Sequence, residues 1–171
     1  MTPTEYINEI VEPTIREFHD ERRCRRRAYL ACIVTYHITD YLENVLEKAG
    51  EDKQQVRRKM KEACPDAFES VRSICNGTKH VETDKRHVIP FKAGSDWDRP
   101  QCMAGIGQVG ISRCGDADGG REVQAGDRSL DLYGCVKTLA LAFQREFPAH
   151  LSGCDLNLVV VQFENLPNFQ A

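Results

Sequence analysis

Residues 68–81 read FESVRSICNGTKHV, and the fold turns on whether this stretch is a single helix. Set at 100° per residue, Phe68, Val71, Ile74, Cys75, Thr78 and Val81 fall in one arc. Glu69, Arg72, Asn76, Lys79 and His80 fall in the opposing arc. A helix here buries one face and presents a guanidinium, an amide, an ammonium and an imidazole on the other. Pro65 breaks the chain before it, and Asp66 followed by Glu69 reads as a capping box. Asn76-Gly77 is a turn dipeptide, so the pattern leaves open whether the helix runs through Gly77 or ends there.

Working outward, residues 2–5 (TPTE) read as a helix start with Thr2 as cap, and Pro13 predicts a kink or restart. Residues 28–50 form a long apolar pattern, a central buried helix stopped at Gly50. Residues 51–64 make a short charged helix exposed on most sides. Beyond His80 helical periodicity stops. Residues 87–91 (HVIPF) read as an edge strand, 93–101 as a loop, and 103–113 and 121–125 as two strands of a hairpin around 114–120. A closing amphipathic helix is predicted over 129–147, and a last apolar strand over 156–163. The expectation is one α+β domain over 1–171. Its parts are a helical bundle (3–80), a small antiparallel sheet (85–125), the closing helix and the final strand.

Net charge −3 on 171 residues argues against a wholesale nucleic-acid coat. The sign is uneven: residues 1–92 hold 17 Lys+Arg against 16 Asp+Glu, and residues 93–171 hold 6 against 10. None of the eight cysteines are paired as C-x-x-C, and residues 1–10 lack an apolar signal core. They read as reduced, buried thiols of a soluble cytoplasmic protein. No apolar run is long enough to span a bilayer, so no membrane partner is expected.

Several motifs bear on chemistry. Residues 105–110 (GIGQVG) match G-x-G-x-x-G, but a turn follows where the dinucleotide fingerprint needs a helix, so no cofactor is read from it. Residues 116–121 (DADGGR) resemble the opening of a calcium loop, with Arg121 where glycine is required, so no metal is expected. Arg22, Arg23, Arg25, Arg26 and Arg27 form a run that suits phosphate, against the alternative of a solvated helix start. His37 and Asp40 stand at i,i+3, where a carboxylate can orient an imidazole. Arg72, Asn76 and His80 stack at i,i+4 steps. Metal-free RNA cleavage needs a base near neutrality and a cation on the developing charge, which His and Arg supply.

Two resemblances attach to these residues. The pairing of H-x-x-D (His37–Asp40) with N-x-x-K-H (Asn76–His80), followed by a hairpin and an amphipathic helix, resembles a group of small bacterial and phage-encoded proteins; it implies no activity. The same stretch is distantly similar to the HEPN superfamily of helical domains, many of them ribonucleases. That similarity implies Arg72, Asn76 and His80 as catalytic residues, although seven residues separate Arg72 from His80 where the family has four to six. The sequence favours a non-catalytic interaction or accessory protein in which His37, Asp40, Asn76, Lys79 and His80 form a polar cluster between helices. A metal-independent ribonuclease or nucleic-acid binder is the alternative, and a small-anion site near Lys79 and His80 a third. A homodimer follows if the final strand pairs with a second copy.

Overall fold

Helix α3 (Arg25–Lys48) is the central element, because its apolar residues point inward on more than one side. The computed structural model describes residues 1–80, 83, 88–102, 118–154 and 156. Ahead of α3 lie α1 (Pro3–Tyr6), a π-helical turn (Ile7–Val11) and α2 (Glu12–Asp20). Thr2 and Glu5 close the expected capping box, with Glu5 N donating to Thr2 Oγ1 at 3.2 Å and Thr2 N to the Glu5 carboxylate at 2.7 Å. Pro13 falls in the first turn of α2, where its missing N–H is tolerated, so the chain restarts there instead of breaking. After α3 come α4 (Gln55–Ala63) and α5 (Pro65–His80), then β1 (Trp97–Arg99), β2 (Gly120–Ala125), β3 (Arg128–Asp131) and α6 (Leu132–Glu146).

The architecture is α+β, with helices packed around α3 and a three-stranded antiparallel sheet in the order β1-β2-β3. One apolar cluster joins Ile7, Ile15, Phe18, Ile38, Leu42, Met60, Phe68, Ile74, Leu139 and Phe143. It includes Cys32, Cys64, Cys75, Cys135 and Cys154, all buried. Burial pushes the Cys135 thiol up to about 12, so it behaves as a small hydrophobe.

Several expectations are corrected. The stretch 93–101 is not all loop: β1 lies within it, pairing Trp97 with Glu122 and Arg99 with Gly120. β2 and β3 form a hairpin turned at Gly126 and Asp127, with Gly126 at φ 61°. The closing helix begins at Leu132, because residues 128–131 are taken by β3 and Asp131 caps the helix by accepting from Gly134 N at 2.8 Å. Helix α5 starts at Pro65, one residue before the expected cap. Residues 88–91 form no strand; Phe91 instead exchanges hydrogen bonds with Thr83, at 2.7 and 2.8 Å. Helix α4 is shorter than 51–64. The strand expected over 103–113, the 105–110 glycine motif, residues 116 and 117 of the calcium-like loop and all but Leu156 of the final strand lie outside the described residues.

One ionic cluster fastens the sheet to the helices and a second joins its strands. The Asp96 side chain is fully buried. It accepts from Arg121 Nε at 2.7 Å and Nη2, from Arg25 Nε at 3.2 Å, and from the Tyr29 hydroxyl. Burial alone would raise the Asp96 pKa, but the hydrogen bonds from Tyr29 and Arg121 outweigh it and hold the carboxyl below its ordinary value. Behind it, Arg99 pairs with Glu122 at 2.7 Å and Asp131 at 3.0 Å, both across the sheet.

Helix α5 runs unbroken through Gly77. A Cβ there would lie 2.6 Å from Cδ1 of the buried Phe91 ring and 3.2 Å from its carbonyl oxygen. Glycine is therefore kept for the close approach of the 88–92 segment. Gly→Ala inside a helix ordinarily stabilises by about 1 kcal/mol. Here Gly77→Ala is expected to destabilise by about 1–3 kcal/mol in urea unfolding, from overpacking against Phe91. A gain in stability would show that the two segments do not meet.

Candidate functional site at the polar face of α3, α4 and α5

Along α3, Thr35, Ile38, Thr39 and Leu42 point into the core, so His37 and Asp40 face outward. His37 Nδ1 lies 2.8 Å from Asp40 Oδ2. The next turn of α3 presents Glu43, whose carboxylate is largely covered by Arg57 from α4. Arg57 donates from Nε and Nη2 to the two Glu43 oxygens at 2.6 and 3.1 Å, and from Nη1 to the Tyr36 hydroxyl at 3.3 Å. Its Nη2 also lies 3.6 Å from Asp40. The fork thus gathers three α3 side chains, which a lysine's point charge would not do.

A second seam joins α4 to α5. Glu69 is buried, accepting from Arg72 Nη1 at 3.0 Å and facing Lys61 Nζ at 3.4 Å. Glu69 therefore serves as an inter-helix anchor and not as the capping-box partner expected for it. Tyr36 lies between the seams. Burial raises its phenol pKa, and the charges of Arg57 and Arg72 oppose that.

The sequence candidates divide. His37 and Asp40 are paired, and Arg72 sits on the adjacent seam. Asn76 is half-buried, and Lys79 and His80 are exposed at the C-terminal end of α5. Among the described residues no hydrogen bond joins His37 or Asp40 to Asn76, Lys79 or His80. Asp40 and Lys79 both act electrostatically on the Cys75 thiol. Burial raises that thiol to about 11, with Asp40 adding to the rise and Lys79 opposing it. Arg72 and His80 share the helix, but eight residues put them roughly 12 Å apart along its axis and about 80° apart around it.

The arginine run lies elsewhere and meets carboxylates of this chain. Arg22 lies 3.2 Å from Asp118, and its guanidinium covers the Tyr133 ring at 4.2 Å. Arg23 donates to both oxygens of Asp98 at 2.8 and 2.5 Å. Arg25 reaches Asp96, and Arg27 pairs with Glu21 at 3.1 Å; Arg26 is exposed. Three of the five, Arg22, Arg23 and Arg25, thus meet carboxylates on or beside the sheet.

Sequence reasoning missed Arg57, Glu43 and the Lys61–Glu69–Arg72 seam. Their only local signal is the cation density of residues 53–61, which periodicity alone reads as solvated. It also missed Asp96, Asp98 and Glu122, although the acidic excess of residues 93–171 opposite five clustered arginines pointed towards them. Among the described residues no group of three or more His, Cys, Asp or Glu side chains is placed to hold a metal ion. No described helix is long and apolar enough to cross a membrane.

The chain matches no protein-family model, no curated protein and no solved structure. Its reading rests on the geometry above.

If Asp40 and Lys79 flank Cys75, their removal acts on the thiol in opposite directions. Asp40→Asn should start thiolate formation at lower pH, and Lys79→Ala at higher pH, followed by NMR of 13Cβ-labelled cysteine. Shifts of the same sign would separate the two helices' polar faces.

Proposed function

We propose that the protein acts by binding, as a non-catalytic interaction or accessory protein, through the polar face of α3, α4 and α5. The observation that carries this reading is the state of Arg72. A cation that stabilises a phosphorane-like charge must be free to meet it. Arg72 is instead engaged by the buried carboxylate of Glu69, which it would have to give up in order to turn towards a substrate. Asn76 and His80 stand beyond it along α5, with His37 and Asp40 paired to each other on the neighbouring helix. Such a surface is charged, mixed in sign and laced by ion pairs, which favours specificity in recognition.

A second reading, a metal-independent ribonuclease using Arg72, Asn76 and His80, draws support from the continuity of α5 through Gly77, which keeps all three on one helix. Incubation of the protein with total RNA in chelator, beside a His80→Ala variant, separates the two. Intact RNA with both proteins is the expected result. Cleavage by the native chain that His80→Ala abolishes would replace the binding reading with the catalytic one.

A further inference from the structure

A cleft of about 690 Å³ opens on the outer side of α4, within the roughly 300–1,000 Å³ common for small-ligand pockets. Its cations fall into two groups. Arg57 is fixed, gripped through two hydrogen bonds by Glu43, whose side chain is only 18% exposed. Lys53, Arg58 and Lys61 line the same cleft with side chains 50–59% exposed and looser partners. Both Arg58 terminal nitrogens share one oxygen of exposed Asp52 at 3.4 Å, an arrangement far from a bidentate fork. Lys53 pairs with exposed Glu47, and Lys61 shares Glu69 with Arg72. The Lys53–Glu47 and Arg58–Asp52 pairs are exposed on both sides and contribute little to stability, so exchanging them for a ligand's oxygens costs little, and Lys61 can turn to a ligand because buried Glu69 keeps Arg72. The cleft's charged lining is four cations against Glu43 and Glu62, on a chain whose net charge is −3.

We propose that this cleft binds a small, multiply charged phosphate compound, a diphosphate or triphosphate group free or on a small molecule. Lys53, Arg58 and Lys61 contact its oxygens, and the Arg57–Glu43 pair forms a rigid floor. The assignment rests on the reading that this face binds and does not cut. A compact polyphosphate suits this cleft better than a nucleic-acid strand: its four cations line a single cleft, and four of the five arginines of the run that would extend a track are committed to carboxylates.

Isothermal titration calorimetry with pyrophosphate in low-salt buffer tests this on the full chain. Saturable binding is expected, weakened severalfold by added salt. It should fall by about tenfold or more in the double variant K53E/R58E. Arg58→Ala alone, which removes only a partner of exposed Asp52 and should leave folding intact, is expected to weaken binding severalfold. Lys92→Glu, a charge reversal outside the cleft, should leave the affinity unchanged. Absence of saturable binding to the native chain overturns the proposal, as does equal weakening by Lys92→Glu and the cleft variants. Tighter binding of a single-stranded oligonucleotide, lost in the same variants, would overturn the small-ligand class. None of these outcomes depends on whether RNA is cleaved, so the binding reading and this site fail separately.

Discussion

A fully buried carboxylate, Asp96, holds the two halves of this molecule together. It sits at the entry to a short sheet that has little apolar surface of its own. Isolated small sheets are marginal in water. This one is held by Arg121 from its middle strand and by Arg25 and Tyr29 from the first turns of the central helix, all meeting on one aspartate. Burying a charge is costly unless it is paired and hydrogen-bonded, and Asp96 meets both conditions. Arg99, with Glu122 and Asp131, ties the three strands to one another.

This use of charge reshapes the functional reading. Five clustered arginines in a row invite a nucleic-acid interpretation, yet in the folded chain Arg22, Arg23 and Arg25 are sheet fasteners and Arg27 is tied to Glu21 and the Glu17 carbonyl. On α4, Arg57 and Lys61 hold the helix to its neighbours while Arg58, paired with exposed Asp52, stands at a rim open to solvent.

Where the sequence is legible, a single periodicity dominates. Residues 28–48 and 65–80 are helical because apolar side chains recur at helical spacing, and that signal survives even Gly77. The Thr2–Glu5 cap and the Pro13 restart were readable for the same local reason. The sheet was not. β1 is three residues long and its neighbours' burial does not alternate: β2 buries five of six positions, among them Arg121 and Glu122. Charged residues on a strand normally argue for solvent, and only pairing with residues far along the chain makes these internal. Residues 128–131 mislead in the other direction, because they lead directly into α6 with no turn between strand and helix. The candidate site was half visible. His37–Asp40 is a local i,i+3 pair, whereas Arg57–Glu43 and Lys61–Glu69 are tertiary contacts that no spacing rule anticipates.

The most direct test of this account is urea unfolding of Asp96→Asn beside the native chain across acid pH. The Asp96 pKa is depressed in the folded state, so its contribution is complete above the unfolded carboxylate value of about 3.9 and fades as pH falls through the lower folded value. The amide keeps the shape and removes the charge that Arg121 requires. Near neutrality the variant should be less stable by about 3–5 kcal/mol. That gap should narrow as the native carboxylate protonates. A difference under about 0.5 kcal/mol near neutrality, or one indifferent to acid, would contradict the claim that this buried charge joins sheet to helix.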